Sequence, residues 1–405
     1  GDGYMRPHRW RGLAVGAGAR NAPLQTGGGQ AVGRGFIVAV CSAKWKDKPV
    51  RIGPSHAFAC TTLIAILGAT SLPAPASAIA QPAATPLSVC PSGPPTCAYT
   101  HIQDAINAAQ PGGTINIASG TYTEMLSISK SVTLAGSGTG QTIIDGGGQG
   151  TVVSVPSSTT VAISGVTIQH GSGAVTTGGG GIYNGGTLTL TSSAVISNVA
   201  YGGLGFYLSG GGIANTGVLT VIDSTISANS SPIGSYGGAS GGGGIANRGG
   251  SVTLANSAVL SNTASYGGGG IASTGTMTLT NGTVNGNIAG YGGGIDNEGT
   301  MTLISSTVNG NVVPVSGAGI YNAYGPTVLT LRNSTISGNS TPSDAGGIEN
   351  AGGTVTVTSS SIISNSAYSG GGIGIDNGGS TVLSNSTISG NTATGGAAAG
   401  NAPGG

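Results

Sequence analysis

Two carboxylates in the C-terminal half of the sequence occupy matching positions of a repeated tripeptide. The tripeptide is Ile-x-Asn, and its middle residue is Glu349 in one copy and Asp376 in the next. If these copies stack as neighbouring coils, the carboxylates stand one coil apart, about 4.8 Å. Retaining glycosidases hold their two carboxyl groups about 5 to 5.5 Å apart, and paired carboxylates also bind Ca²⁺. Glu349 and Asp376 are therefore the candidate catalytic residues, with Ca²⁺ as the candidate cofactor.

The other copies of the tripeptide support a different interpretation of this position. It holds Ala in three copies, Tyr in Tyr321 and Asp in Asp296. A position that accepts such different side chains is typical of an outward surface site without a fixed task. On this interpretation the chain has no catalytic residue and no cofactor, and replacing Asp296 with Ala has almost no effect. Both interpretations of Glu349 and Asp376 stay open at the level of sequence.

Two cysteines lie close together ahead of the repeats. Cys90 and Cys97 enclose the short polar loop Pro-Ser-Gly-Pro-Pro-Thr, with no His or second Cys pair nearby. In an oxidising compartment such a pair closes as a disulfide, whereas a metal site needs further ligands. The sequence therefore predicts a Cys90–Cys97 disulfide and no metal site.

Two rows of side chains offer chemistry of another kind. Tyrosines precede the glycine runs, where they either stack on sugar rings or pack on one another; they are Tyr201, Tyr236, Tyr266, Tyr291 and Tyr368. Thr-x-Thr pairs recur on predicted strands, at Thr276/Thr278, Thr300/Thr302 and Thr354/Thr356. Such a face resembles that of ice-binding solenoids, and threonine is equally a residue that suits exposed β positions.

The charge distribution excludes one class of partner. Nine of the twelve basic residues lie in the first 51 positions, and after Ala80 three basic residues face nine acidic ones, a formal charge of −6. Nucleic-acid binding requires basic groups that displace counterions from phosphates. Nucleic acid is therefore not an expected partner.

The elements that must position these side chains are internal repeats. Glycine accounts for 81 of the 405 residues, and charged residues for only 6%. Copies of Ile-x-Asn, or its variant Ile-Ala-Ser, recur every 24 to 32 residues, beginning at Ile182, Ile213, Ile245, Ile271, Ile295, Ile320, Ile348 and Ile375. Each repeat also holds an alternating strand such as Thr276–Thr280 and a short Val/Ile-x-x-Asn piece.

Three short strands per repeat cannot bury their apolar faces alone, but stacked coils bury them in one shared column. Connections between parallel strands are right-handed, and Gly and Asn tolerate the positive φ of tight bends. We expect a hydrogen-bonded ladder of asparagines at Asn198, Asn229, Asn262, Asn287, Asn311, Asn339, Asn365 and Asn391. The sequence predicts an all-β, right-handed, single-stranded parallel β-helix, a solenoid.

The N-terminal region has features of export. Residues 44–80 combine a basic stretch, an apolar run at 57–67 and small-residue cleavage sites near Ala78 and Ala80, as in a signal peptide. The apolar run is shorter than the roughly 20 residues of a membrane span. Residues 1–43 are a basic, unpatterned extension, either a misplaced start or a basic arm, 81–98 a linker and 392–405 a flexible Gly/Ala tail. We expect an extracellular monomer, secreted or at the cell surface, with no membrane span in the mature chain.

Residues 99–391 resemble a known superfamily. The segment IQDAINAA at 102–109, followed by PGGTI at 111–115 and GTY at 120–122, resembles the capping helix and first coil of the pectin-lyase-like right-handed β-helix superfamily. The Gly-Gly-Gly-Ile and Ile/Val-x-x-Asn repeats are similar to those of the polymorphic outer-membrane protein family, whose second motif prefers Phe at its first position. The resemblance implies a parallel β-helix with an N-terminal capping helix, an architecture shared by lyases, hydrolases, adhesins and plain scaffolds.

The resemblance also implies which residues an enzyme of this fold would need. A pectate lyase would pair clustered Asp and Ca²⁺ with a basic residue, yet Arg248 and Arg332 lie in different repeats without an acidic cluster. A polygalacturonase would offer Gly-His-Gly, whereas His170 lies alone in Gln-His-Gly and is expected to be an exposed turn residue. The expected function is therefore a non-enzymatic adhesion or glycan-contact scaffold. The alternative is a polysaccharide lyase or glycoside hydrolase that uses Glu349 and Asp376.

Overall fold

A computed structural model describes residues 85–173, 178–201, 209–232 and 241–395. The predicted signal peptide at 44–80 and the extension at 1–43 lie outside the described residues. Within the described ranges there is one α-helix, α1 (Ile102–Ala108), and the remaining regular structure is β-strand. None of the helical structure in these ranges is long and apolar enough to cross a membrane.

The strands form three long parallel sheets, because each coil of about 25 residues adds one strand to each sheet. Sheet A contains Leu87–Val89, Gly113–Ile117, Val132–Gly136, Thr160–Ser164, Thr187–Thr191, Val218–Ile222, Ser251–Ala255, Thr276–Thr280, Thr300–Ile304, Val328–Arg332, Thr354–Thr358 and Ser380–Ser384. Sheet B contains Gly120–Thr123, Thr142–Asp145, Thr167–Gln169, Ala194–Ile196, Thr225–Ser227, Ala258–Leu260, Thr283–Asn285, Thr307–Asn309, Thr335–Ser337, Ser361–Ile363 and Thr387–Ser389. Sheet C contains Leu126–Ser127, Val153–Val155, Ile182–Asn184, Ile213–Asn215, Ile245–Asn247, Ile271–Ser273, Ile295–Asn297, Ile320–Asn322, Ile348–Asn350 and Ile373–Ile375.

Two short sheets complete the coils, at the corner between sheets B and C. One contains Ser172–Gly173, Val199–Ala200, Ser230–Ser231 and Thr263–Ala264, and the other pairs Ser366–Ala367 with Thr392–Ala393. Regular pairing therefore extends from Leu87, within the predicted linker, to Ala393, within the predicted tail. The predicted solenoid is confirmed as an all-β coil of about 11 turns.

The core is a set of aliphatic columns that run along the coil axis. In the strand Thr276–Thr280 the alternation of side chains buries Met277 and Leu279 and turns the threonines outward. Neighbouring strands pair residue for residue, so Ile295 stacks directly between Ile271 and Ile320. Because each apolar side chain is covered by its equivalents in the coils above and below, one continuous core connects the described coils.

The helix α1 covers the N-terminal end of this core. Ile102, Ala105 and Ile106 are fully buried, and α1 contacts the first strands of sheets A and C. Its unpaired ends are capped by charges from the following coil. The carboxylate of Glu124 accepts hydrogen bonds from the backbone N–H groups of Ile102 and Gln103, both at 2.9 Å. Lys130 Nζ donates to two carbonyl oxygens at the other end of the helix. The predicted capping helix is therefore present.

The predicted asparagine ladder is confirmed. Each side-chain amide donates to the next Asn Oδ1 at 2.9–3.0 Å, from Asn198 through to Asn391. The same Oδ1 accepts the backbone N–H of the preceding ladder residue, as between Asn287 and Asn311 at 2.9 Å. The positive φ of this bend lies one residue earlier, for example at Ala228 and Gly286. Each ladder Asn thus satisfies buried polar groups of its bend without itself taking the strained conformation.

Two further ladders were not predicted. The asparagines of Ile-x-Asn bond one another between neighbouring coils, as in Asn184 to Asn215 at 2.7 Å and Asn297 to Asn322 at 2.7 Å. Serines after sheet A form another ladder, in which Ser224 Oγ accepts from the backbone N–H of Ser193 at 3.0 Å. Both signals are visible in the repeat as recurrent Asn, replaced once by Ser273, and recurrent Ser at fixed offsets.

The glycine runs lie at a corner where the backbones of adjacent coils pack closely. At Gly270 an added Cβ would lie 2.7 Å from the carbonyl oxygen of Gly294 and 3.1 Å from the Asn287 side chain. A larger residue would therefore push neighbouring coils apart at this corner. Ahead of the coils, Cys90 and Cys97 form the predicted disulfide, with their Cα atoms 5.9 Å apart.

Candidate functional site

A narrow ridge of residues lies outside sheet C in the last coils. Tyr291, Ser316, Asp344 and Ser369 bridge one another in parallel fashion, one residue per coil, and we call them the outer ridge. Each comes just before the glycines that lead into a strand of sheet C. The outer ridge therefore runs alongside the outward side chains of that sheet, where the middle residues of Ile-x-Asn lie.

The outer ridge covers the carboxylates that the sequence placed on the surface. Asp296 is 2% and Glu349 is 3% exposed, although both side chains point away from the aliphatic core. Gly317 lies over this position, because a Cβ there would be 2.9 Å from Tyr321 Cβ and 3.1 Å from Glu349 Cβ. The prediction of an open, permissive surface position is thus wrong for Asp296 and Glu349, and Asp296→Ala cannot be treated as a silent surface change.

The predicted pairing of Glu349 with Asp376 is wrong in its register. Glu349 pairs with Gly374, and Asn350 pairs with Ile375, so the last strand of sheet C is Ile373–Ile375. The reason lies in the glycines, since Gly371 and Gly372 directly precede Ile373 as Gly346 and Gly347 precede Ile348. Backbone hydrogen bonds join these pairs, including Ile348 N–H to the Gly372 carbonyl at 3.0 Å. The Gly-Gly-Ile signal would have given the correct alignment.

The structure nevertheless brings the two carboxyl groups together. Asp376 follows the last strand of sheet C and is exposed, and its side chain lies within hydrogen-bond distance of Glu349. Burial raises the pKa of Glu349 to about 7; the hydrogen bond and charge of Asp376 and the charge of Asp344 act in the same direction. A hydrogen bond from Ser316 Oγ to Glu349 Oε2, at 3.1 Å, opposes them. Near neutral pH the Glu349 carboxyl group is therefore about half protonated.

Tyrosines adjoin the carboxyl groups along the same face. Tyr321 stacks in register between Asp296 and Glu349, and burial, with the two carboxylates, raises its pKa. Its ring centroid lies 5.5 Å from that of Tyr291, which is 6.4 Å from Tyr266. The predicted tyrosine row therefore packs on itself here, whereas Tyr201 and Tyr368 are exposed. Tyr236 lies outside the described residues.

The raised pKa of Glu349 makes a testable prediction about pH. A carboxyl group whose folded pKa is raised from 4.5 to about 7 binds more protons folded than unfolded. Its stabilising contribution is complete below pH 4.5 and is lost as the pH rises through 7. We expect the free energy of unfolding to fall over this window, by at most about 3 kcal/mol, in urea titrations at stepped pH.

Glu349→Gln, which mimics the protonated group, should flatten that pH dependence. Asp104→Asn, at an exposed carboxylate on α1, is the control and should leave the wild-type slope unchanged. An equal slope in wild type and Glu349→Gln would contradict the raised pKa of Glu349.

The remaining candidate residues lie apart from this pair. His170 is an exposed turn residue with φ 53°, as predicted, and its Nδ1 lies 2.9 Å from Asp145 Oδ2. Burial alone would raise the pKa of Asp145, but hydrogen bonds from Gln169, Gly147 and His170 outweigh it and lower the pKa.

Arg332 ends a strand of sheet A, and Arg248 follows a strand of sheet C three coils earlier. The described residues contain no group of three or more His, Cys, Asp or Glu side chains arranged to hold a metal ion.

Comparison with known proteins yields structural neighbours of low similarity. A pectin methylesterase from carrot matches with a TM-score of 0.32 and 12% identity, over 76% of this chain and 84% of that one. A pectin methylesterase from Aspergillus niger, in deglycosylated form, matches with a TM-score of 0.30 and 13% identity, over 76% and 87%. No protein-family model and no curated protein matches the chain. Similarity at this level carries no conclusion about activity.

The strand pairing itself decides the architecture. Three parallel sheets, wound in a single coil and closed by an N-terminal helix, are the features that the resemblance to the superfamily predicts. The fold is a single-stranded parallel β-helix with an α-helix at its N-terminal end, and membership of the superfamily stays a prediction. Within the described residues, Glu349 is a carboxyl group whose pKa is raised to about 7, and Asp376 lies beside it.

Proposed function

We propose that this β-helix is an extracellular scaffold that contacts a polysaccharide or a cell-surface glycan without cleaving it. One observation carries the proposal: Glu349 is 3% exposed beneath the outer ridge and in hydrogen-bond contact with Asp376. Glycosidases need two carboxyl groups that flank the scissile bond, about 5 Å or more apart. Because Glu349 is buried, a sugar cannot reach its carboxyl group from solvent.

Exposed aromatic side chains supply a surface for glycan contact. Tyr201, Tyr324 and Tyr368 are 47%, 63% and 57% exposed, so their rings are open to a ligand. Aromatic faces bury large area at an interface, and their hydroxyl groups bind polar partners. The Cys90–Cys97 disulfide is compatible with an oxidising, extracellular environment.

The test combines a cleavage assay with a binding assay. We expect no reducing or unsaturated ends from polygalacturonate, rhamnogalacturonan or alginate, and specific binding on a glycan array. Tyr324→Ala or Tyr368→Ala should weaken that binding up to about tenfold. Met125→Ala, which removes an exposed non-aromatic side chain, is the control. Turnover of any of these substrates, or the absence of any bound glycan, would contradict the proposal.

A second candidate function is a polysaccharide lyase or glycoside hydrolase that uses Glu349 and Asp376. The observation in its favour is the pKa of Glu349, raised to about 7 beside a second carboxyl group, because a general acid works best near the operating pH. In that case the wild type cleaves a polysaccharide, and Glu349→Gln or Asp376→Asn abolishes cleavage while the circular dichroism stays that of a β-protein.

A further inference from the structure

The outward face of sheet A carries an unbroken column of threonines. The central outward residue of seven consecutive strands is threonine, at Thr189, Thr220, Thr253, Thr278, Thr302, Thr330 and Thr356. Each pairs directly with the next, without a bulge or a shift of register. The column therefore lies straight across the strands, with one hydroxyl and one methyl group per coil.

Two flanking columns widen this surface, and we call the three columns together the threonine face. The flanking residues are Thr187, Val218, Ser251, Thr276, Thr300, Val328 and Thr354 on one side, and Thr191, Ile222, Ala255, Thr280, Ile304, Arg332 and Thr358 on the other. Within this face, all of which the structure describes, Arg332 is the one charged side chain and no residue is aromatic. Apart from Arg332, the surface thus offers no charge for an ionic polymer, and it offers no ring for stacking on sugars.

The composition of the central column differs from that of its neighbours. The flanking columns accept Val, Ile, Ala and Ser as well as Thr, which is what β propensity at exposed positions allows. The central column holds only threonine through all seven coils. The column continues as Ala162 and Val382 in the adjacent coils, so the threonines form one block of seven coils, as a ligand that meets hydroxyl and methyl groups at a fixed spacing would require.

The spacing of the threonine face is set by the backbone. Neighbouring coils are about 4.8 Å apart, and outward residues along one strand are about 6.7 Å apart. In ice each oxygen has four tetrahedral hydrogen bonds of about 2.75 Å. Two oxygens bonded to the same water are then about 4.5 Å apart, which follows from that bond length and the tetrahedral angle. Threonines stacked on successive coils therefore nearly match a repeat of the ice lattice.

We propose that the threonine face binds ice. Ice fits the threonine face because a surface of an ice crystal is uncharged, flat and periodic at nearly the coil spacing. The hydrogen-bonded ladders of the coil also hold the threonines in place. This activity is separate from the proposed glycan contact, which uses tyrosines on other parts of the surface.

The test compares two matched pairs of substitutions in the same two coils. Thr278 and Thr302 stack on sheet A, and Thr283 and Thr307 stack on sheet B; all four are half-buried. The full chain should show thermal hysteresis and partition into growing ice, unlike an inert globular protein at the same concentration. Thr278→Lys with Thr302→Lys should abolish both effects, and Thr283→Lys with Thr307→Lys should retain them.

Further outcomes of the same experiment also decide the question. If the sheet A lysines unfold the coil, as judged by circular dichroism, Thr278→Tyr with Thr302→Tyr keeps residues that suit β-strands and should still abolish ice binding. A wild type indistinguishable from the inert protein would overturn the proposal. So would equal loss in the two lysine pairs, or loss confined to the sheet B pair. None of these results depends on glycan binding.

Discussion

Replacing Ile295 with Asp is expected to unfold the coils around it while the N-terminal coils remain folded. Ile295 is fully buried and stacks between Ile271 and Ile320 in the aliphatic column of sheet C. A carboxyl group at this point has no polar partner and loses its hydration, which costs roughly 3 to 5 kcal/mol. Because solenoid coils contact only their neighbours, the damage should stay local.

Limited proteolysis followed by mass spectrometry checks this expectation. Cleavage should concentrate at residues 270–320, and the coils that follow α1 should stay protected. Ile295→Val, which removes one methylene, is the control and should cost about 1 kcal/mol without new cleavage sites. Loss of protection throughout the chain in Ile295→Asp would mean that the β-helix unfolds as one cooperative unit.

Replacing one asparagine of the ladder is expected to lower the free energy of unfolding about as much as Ile295→Asp does. Asn311 is fully buried; its amide donates to Asn339 at 2.9 Å and to the Val284 carbonyl at 3.2 Å. Its Oδ1 accepts two hydrogen bonds from Asn287. Asn311→Ala leaves these buried groups without partners, each at a cost of about 1 to 3 kcal/mol. We expect a total loss of roughly 3 to 5 kcal/mol in the free energy of unfolding by urea.

The matched control is a substitution of Asn285, which lies one coil earlier on sheet B. Asn285 is half-buried on the outward side of sheet B and does not belong to the ladder. Asn285→Ala should change stability by no more than about 0.5 kcal/mol. If the two substitutions cost the same, the ladder is not a main source of stability in these coils.

Much of the fold could be predicted because the repeat carries its own structural information. The alternation of Met277 and Leu279 with threonines identifies the core side of sheet A, and the spacing of Ile271, Ile295 and Ile320 identifies the column in sheet C. Each coil meets an almost identical coil, so a residue in one repeat predicts its contact in the next. The asparagine ladder follows from the same translational symmetry.

The candidate site could be predicted only in part, because its residues break that symmetry. The motif Ile-x-Asn aligned Asp376 with Glu349, but close backbone packing at Gly371 and Gly372 fixed the alignment two residues earlier. The carboxyl groups of Glu349 and Asp376 are nevertheless close together, because Asp376 directly follows the strand Ile373–Ile375.

The sequence by itself determined the parallel β-helix, its capping helix, the disulfide and the inward side of each strand. These features depend on local periodicity and on contacts between equivalent positions. Only the tertiary structure decided that the outer ridge covers the last strands of sheet C and turns Glu349 from a surface carboxylate into a buried group whose pKa is raised to about 7. The physical reason is that burial depends on where the variable segment before each glycine run folds back, and neighbouring repeats do not specify that path.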